Sequence, residues 1–147
     1  FAIMQEVRIY EMEHCSEAVA AAVNRLLQQL GGAHGPLSVQ DLLSMTASGD
    51  THLFLLEAED GIAAMATLAF YISPTGRKAW IEDVVVDESC RGRGFGRLIV
   101  QHAIDFARRS SGCKLMLTSR PSRVAANRMY ASLGFERRET NVYLMRL

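Results

Sequence analysis

The spacing of apolar residues along this 147-residue chain changes repeatedly, and each change marks an element. From Ile3 to Tyr10 apolar and polar positions alternate, with Ile3, Gln5, Val7 and Ile9 on one side, as in a half-buried strand. An Ala- and Leu-rich stretch from about Ser16 to Leu30 predicts a helix, which Gly31-Gly32 ends. The 31–36 stretch reads as a loop, and Ser38 can cap a short second helix through Asp41 to Met45. Two strands follow, His52–Ala58 and Ile62–Ile72, joined by an Asp60-Gly61 hairpin turn. Pro74-Thr75-Gly76 turns the chain into a strand from Lys78 to Val86. Beyond it, Phe95, Leu98, Ile99, His102, Ala103 and Phe106 share one face of a helix running to about Arg109, whose basic end suits the helix dipole. Lys114–Thr118 reads as a short strand. The next helix has Ser122 as N-cap, Ala126, Met129, Tyr130 and Leu133 on its inner face, and Gly134 just past its end. Phe135–Arg137 and Val142–Met145 close the pattern as two strands. The order β-α-α-β-β-β-α-β-α-β-β predicts an α/β (α+β) fold, a mixed sheet flanked by helices, in one domain over 1–147.

Composition narrows the function classes. Sixteen basic and sixteen acidic residues cancel, which argues against a dedicated nucleic-acid partner. No apolar run reaches the length of a membrane span, and no charged-then-apolar leader is evident. The first residue is Phe1 rather than Met, so it is not read as the natural start. Cys15, Cys90 and Cys113 are an odd, widely spaced set without a CxxC, which predicts reduced thiols and a cytoplasmic location. His14, His34, His52 and His102 lack metal-ligand spacing, so no metal site is expected, and His102 reads as a packed core histidine.

The chemistry concentrates in Val84-Val85-Val86-Asp87-Glu88-Ser89-Cys90-Arg91-Gly92-Arg93-Gly94-Phe95-Gly96-Arg97. A β-branched strand leads through a turn into three alternating glycines and then a helix. Glycine admits close approach to the backbone, and the unpaired N–H groups of a helix N-terminus attract phosphate. Arg91, Arg93 and Arg97 add positive charge, and the backbone N–H groups of Arg93 to Arg97 can cradle a diphosphate. The alternative is a glycine turn with solvated arginines. A P-loop is disfavoured because no Lys-Ser or Lys-Thr follows the glycines. A dinucleotide fingerprint is disfavoured because the third glycine comes one residue early and four strands precede it.

Arg91-Gly92-Arg93-Gly94-Phe95-Gly96 resembles the [Q/R]-x-x-G-x-[G/A] pyrophosphate loop of the GNAT superfamily of acetyl-CoA-dependent N-acetyltransferases. Ile81-Glu82-Asp83-Val84-Val85-Val86-Asp87 resembles that family's central strand. Asn127-Arg128-Met129-Tyr130-Ala131-Ser132-Leu133-Gly134-Phe135 resembles its second signature. The resemblance covers nearly the whole chain in element order and is sharpest from Trp80 to Phe135. It implies a mostly antiparallel sheet with splayed central strands and acetyl-CoA as cosubstrate. The implied cofactor contacts are Arg91, Gly92, Arg93, Gly94, Phe95, Gly96 and Arg97, together with Asn127. The backbone of Val84 and Val86 would pair with the pantetheine arm.

Acetyl transfer to an amine needs a deprotonated nucleophile and a proton for the leaving thiolate. Glu82 lies mid-strand among apolar residues, where a carboxylate is costly unless used or paired, and the resemblance implies a base at this position. Asp83 is placed on the opposite face by strand alternation. Tyr130 is the implied general acid; otherwise it is a core tyrosine with a satisfied hydroxyl. Many family members carry Asn seven residues before the Tyr, where this chain has Arg123. Cys90 and Cys113 lack a nearby His in sequence, which favours direct transfer in a ternary complex. The acceptor should meet the first two helices, the 31–36 loop, and the neighbourhoods of Arg120 and Tyr143. The Trp80–Phe135 run is similar to glucosamine-phosphate N-acetyltransferases, which favours a small-molecule amine or amino sugar. A peptide amine, and a non-catalytic acyl-CoA-binding module, are the alternatives. Oligomeric state is not read from the chain, although homodimers are common where the resemblance points.

Overall fold

The computed structural model describes residues 6–32, 34–110 and 112–147. Two serines start the first two helices. Ser16 accepts the Val19 N–H at 3.2 Å and opens α1 (Glu17–Leu30). Ser38 opens α2 (Val39–Thr46) through a reciprocal box, its hydroxyl accepting the Asp41 N–H at 3.0 Å while the Asp41 carboxylate accepts the Ser38 N–H at 2.8 Å.

Five strands form one sheet in sequence order: β1 (Arg8–Glu11), β2 (Thr51–Ala58), β3 (Gly61–Ser73), β4 (Gly76–Val86) and β5 (Lys114–Met116). Successive pairs from β1 to β4 are antiparallel, and β5 joins β4 in parallel after the crossover through α3 (Phe95–Arg108). The fourth helix, α4 (Val124–Ser132), follows β5. Both faces of the sheet are covered. Phe54, Leu56, Ala64, Leu68 and Ile81 meet Phe95, Ile99, Val100 and Ala103 of α3, whereas Leu53, Leu55, Met65 and Val85 meet Val23, Leu26 and Leu42 of α1 and α2. This double burial explains why 53–56 is uninterruptedly apolar.

Several expectations change. The first strand begins at Arg8, and the expected positions Ile3 and Gln5 lie outside the described residues. The buried face of α3 is Phe95, Ile99, Val100, Ala103, Ile104 and Ala107, rotated from the expected stripe, and Leu98 is exposed. Its rotation follows from packing against β2, β3 and β4 together, which needs a broader apolar face. Helix α4 starts from Arg123 rather than Ser122, because 121–122 form a turn and Arg123 sits at φ −83°, ψ 69° without a side-chain cap. Phe135–Arg137 and Val142–Met145 do not form strands; a strand exists only against a partner edge, and 136–147 is exposed throughout. His102 is packed as expected, edge-on to Phe54 at 4.8 Å, and burial, then Arg109, lowers its pKa.

Candidate functional site

A bulge in β4 organises the site. Thr67 stands opposite Glu82 and Met65 opposite Val85, so Asp83 and Val84 together face the single residue Ala66. Asp83 adopts φ 51°, a left-handed conformation rare for a residue with a Cβ. The bulge shifts the phase of the strand. Ala79 and Ile81 belong to the α3-side core before it, whereas Val85 belongs to the α1/α2-side core after it, with Val84 and Val86 packed toward α3. Strict alternation therefore does not carry through Asp83, contrary to expectation.

The opposite edge of β4 opens at nearly the same level. Its parallel pairing with β5 covers Lys78–Lys114, Ala79–Leu115 and Trp80–Met116, and no pairing with β5 extends beyond Trp80 among the described residues. The backbone of 81–86 thus presents an edge without a strand neighbour on that side, the splay expected from the sequence.

At the far end of this edge β4 runs into the glycine loop. Asp87 caps a short 3-10 turn (Glu88–Cys90), accepting the Ser89 N–H at 3.1 Å. Gly92 and Gly94 both adopt φ 81°, so their glycines answer a left-handed backbone. Gly96 does not; a Cβ there would meet Val86 Cγ2 at 3.5 Å and Met129 Sδ at 3.7 Å, and its place marks the close approach of β4, α3 and α4. Unlike α1 and α2, α3 begins on Gly94 with no side-chain cap and no acid in its first turn. Leu98 N–H bonds to Gly94 O at 3.1 Å, so the preceding amides of Phe95, Gly96 and Arg97 lie before the first helical bond and face the positive end of the dipole.

The arginines are engaged rather than simply solvated. Arg93 pairs with Glu59 in the β2–β3 hairpin at 2.8 Å and covers the Phe95 ring at 4.5 Å. Arg97 donates to Ser132 Oγ of α4 at 2.6 Å, and Arg91 Nε reaches Val86 O at 3.4 Å. Three side chains of α1 and its surroundings also brace this corner. Arg25 donates to Ile62 O at 2.7 Å and to Asp87 at 3.2 Å, Gln29 accepts the Glu88 N–H at 2.8 Å, and Asn24 clamps the Leu37 backbone through two 2.8 Å bonds. No motif in the sequence announces these contacts, because each joins residues 13 to 62 positions apart.

Glu82 is not buried as expected; its side chain is exposed at the sheet surface beside the bulge, while Ile81 and Val85 on either side are buried. The surrounding protein still removes enough water to raise its pKa, and Asp83 adds to the rise. Alternation from Ala79 and Ile81 places Glu82 beside Trp80 on the α1/α2 side. Tyr130 lies on the other side, 7% exposed within the α3-side core, its ring edge-on to Phe135 at 6.0 Å. Burial raises its pKa, with Arg123 pulling weakly the other way.

Two further groups belong to the loop after β5 and the helix that follows it. Asn127 donates to Arg120 O at 2.9 Å and so ties α4 to the loop after β5. Ser119 Oγ, in the same loop, is buried without a hydrogen-bond partner among the described residues. A buried hydroxyl left unpaired is costly and points to a missing polar partner. Nothing in the sequence singled out Ser119. Among the described residues no group of three or more His, Cys, Asp or Glu side chains is arranged to hold a metal ion, and no helix is long and apolar enough to cross a membrane.

The family model for the acetyltransferase (GNAT) family matches residues 17–135. Glucosamine 6-phosphate N-acetyltransferase 1 of Oryza sativa subsp. japonica is 36% identical over 98 residues, 62% of this chain and 57% of that protein. The [ribosomal protein bS18]-alanine N-acetyltransferase of Salmonella typhimurium is 34% identical over 88 residues, 59% of this chain and 57% of that protein. The matched region thus spans little more than half the length of these relatives. Among solved structures, a protein from Agrobacterium tumefaciens strain C58 described as an acetyltransferase superposes with TM-score 0.78 at 27% identity, covering 96% of this chain and 99% of that one. An acetyltransferase from Clostridium acetobutylicum solved with acetyl-CoA has the same fold, with TM-score 0.71 at 19% identity over 97% of this chain and 96% of that one.

Proposed function

As the chain belongs to the GNAT family and is an acetyltransferase, we propose that it moves the acetyl group of acetyl-CoA directly to the primary amine of a small molecule. The observation that carries the reading is the continuity of one surface: an edge of β4 open from residue 81, leading to an uncapped, glycine-led helix. The residues fit acetyl-CoA. The amides of 95–97 and the left-handed Gly92 and Gly94 suit its diphosphate, the backbone of Val84 and Val86 suits the amides of its arm, and the orphaned Ser119 hydroxyl in the loop after β5 is a further polar group in want of a partner. The thioester supplies an activated acetyl group.

The protein's own groups handle protons. Glu82 accepts one from the acceptor's ammonium, directly or through water, which frees the amine lone pair to attack the thioester, and its raised pKa makes it a stronger base than an ordinary carboxylate. Tyr130 carries its proton at neutral pH, as a phenol does, burial shifts its pKa further upward, and it donates that proton to the departing sulfur. Arg120 and Arg123 are exposed cations at the start of α4 and suit an acceptor bearing a phosphate. An amino sugar phosphate is therefore the favoured acceptor, in keeping with the rice relative.

The test is acetyl-CoA consumption across amino sugars and their phosphates, polyamines, amino acids and peptides, with calorimetric acetyl-CoA binding alongside. Glu82→Gln and Tyr130→Phe should lose turnover while retaining acetyl-CoA binding. Unchanged turnover in both variants refutes the assigned roles. Acetyl-CoA binding with no turnover on any amine would identify a non-catalytic binding module, and preference for peptides would move the acceptor to that class, as in the Salmonella relative.

A further inference from the structure

The segment that leads from β4 into α3 is loose by composition. Gly92 and Gly94 adopt φ 81°, which glycine enters and leaves at little steric cost, and α3 has no side-chain cap to fix where it starts. Such a loop presents its amides at one angle only if something outside it holds it. The ordering that a ligand would otherwise have to supply is then supplied in advance. Asp87 N–H bonds to Ala63 O at 2.8 Å and Cys90 N–H returns to Asp87 O at 2.8 Å, which ties the turn to β3 and to itself. Its tie to the helical layer comes from α1.

Arg25 and Gln29 stand one helical turn apart on α1 and so share a side of it. Gln29 Oε1 accepts the Glu88 N–H at 2.8 Å, across 59 positions of sequence. Arg25 spreads two bonds, from Nη2 to Ile62 O at 2.7 Å and from Nε to the Asp87 carboxylate at 3.2 Å. Asp87 extends the restraint by accepting the Ser89 N–H at 3.1 Å. The helix that carries both side chains is anchored, with Val23 and Leu26 buried in the core and Ser16 capping its start. These bonds contribute little to folding itself, because Glu88 is exposed and the Arg25 side chain is 50% exposed, so water replaces a bond that is lost. What water cannot replace is their direction.

We propose that Gln29 and Arg25 are positioning residues for the acyl donor, holding the 87–89 turn from α1 in the place from which the 95–97 amides meet the diphosphate of acetyl-CoA. The inference rests on the proposed acetyl-CoA reading of the glycine loop. Neither side chain needs to touch the cofactor; each acts through the backbone of the turn. Their effect falls on donor affinity rather than on proton transfer, since Glu82 and Tyr130 lie outside the turn. The helix α1, expected only beside the acceptor, thereby serves the donor as well.

Calorimetric titration of the full chain separates positioning from packing and from charge. Gln29→Met keeps the length of the side chain and loses the accepting oxygen, whereas Arg25→Lys keeps the charge and loses the two-armed reach. Each should weaken acetyl-CoA binding about 3- to 10-fold, because the cost of ordering the turn falls on the ligand. The thermal midpoint should stay within about 4 °C of wild type. Gln28→Met, the same exchange at the exposed neighbouring position, should change neither reading. S-acetylpantetheine carries the acyl arm without the diphosphate, so its affinity should be the same in wild type and variants. Wild-type affinity for acetyl-CoA in either Gln29→Met or Arg25→Lys overturns the proposal. So does an equal loss in Gln28→Met, or an equal loss for S-acetylpantetheine, since either marks a general disturbance. A wild type that binds no acetyl-CoA refutes the reading of the loop, and the proposal with it. Should one variant fail to fold, the other decides by the same readings.

Discussion

The three glycines of the loop are not equivalent, and alanine substitution should separate them. Gly94 sits at φ 81°, ψ 11°, and a Cβ there would meet nothing within 4 Å. Its replacement therefore costs backbone energy alone. A left-handed conformation costs about 1–2 kcal/mol with a Cβ present. The stiffer unfolded chain returns some of whatever Ala loses, but only ~0.4–1 kcal/mol in the favourable case. Gly94→Ala should thus be about 1 kcal/mol less stable, roughly 2–4 °C in Tm for a chain of this size. Gly96 lies in the first turn of α3 with ordinary helical φ, and its added methyl would fall in normal contact with Val86 and Met129. Gly96→Ala should be neutral or more stable by up to about 1 kcal/mol. Binding should diverge as well. Relaxing residue 94 away from φ 81° turns the amides of 95–97, and losing one charge-assisted bond weakens acetyl-CoA binding about 10-fold or more. The Gly96 methyl points into the β4–α4 contact, so affinity should hold. Thermal unfolding and calorimetry read both quantities. If Gly94→Ala were as stable as wild type, or Gly96→Ala were the damaged one, the account of the loop would be wrong.

The remaining predictions use pH and the core. With Glu82 as base, kcat/KM should fall as pH drops through a pKa above the ordinary carboxylate range, since only the deprotonated form accepts a proton; Glu82→Gln should abolish that acidic limb, and a limb that survives assigns it elsewhere. Asp87 is held below its usual pKa by the Ser89 amide first, with the Ser89 hydroxyl and Arg25 adding to it. Its folded pKa is the lower one, so its stabilisation is present above the unfolded value and fades as pH falls through the folded value. Urea unfolding of Asp87→Asn should show reduced stability at neutral pH and a shallower loss toward acid; parallel curves for the two proteins refute this. Leu26 is fully buried between α1 and the sheet, so Leu26→Ala should cost about 2–5 kcal/mol in denaturant unfolding, and a loss under about 1 kcal/mol would place α1 outside the cooperative core.

Much of the architecture was legible because it rests on local rules. The serines before α1 and α2, Asp60-Gly61 between β2 and β3, and the period of α4 around Tyr130 each act within a few residues. The glycine loop was legible for the same reason, since Gly92 and Gly94 meet a backbone demand that few other residues can. Features that depend on distant partners were not legible. The exposed Glu82 lies beside a bulge whose partner, Ala66, is seventeen positions before Asp83. Ser119 became notable only once its surroundings closed over the hydroxyl. The expected strand at Val142–Met145 had the right residues, but pairing needs an edge that a linear pattern does not contain.

The bulge and the splay belong to one construction. A flat β4 paired along its length with β5 would bury the backbone of 81–86 in a ladder and leave no polar edge for a ligand. Ending the β5 pairing at Trp80–Met116 frees that edge, and the extra residue at Asp83 redirects the strand just beyond it. The strained φ at Asp83 costs of order 1–2 kcal/mol, which the packed layers on both faces offset. Its position between Glu82 and Val84 also gives the strand two functions in adjacent residues. In the proposed reaction Glu82 is turned to the α1/α2 side, where the acceptor is expected, while Val84 and Val86 would offer backbone to the acyl donor. On the proposed reading, the local strain is therefore sited where it would let one strand serve both substrates.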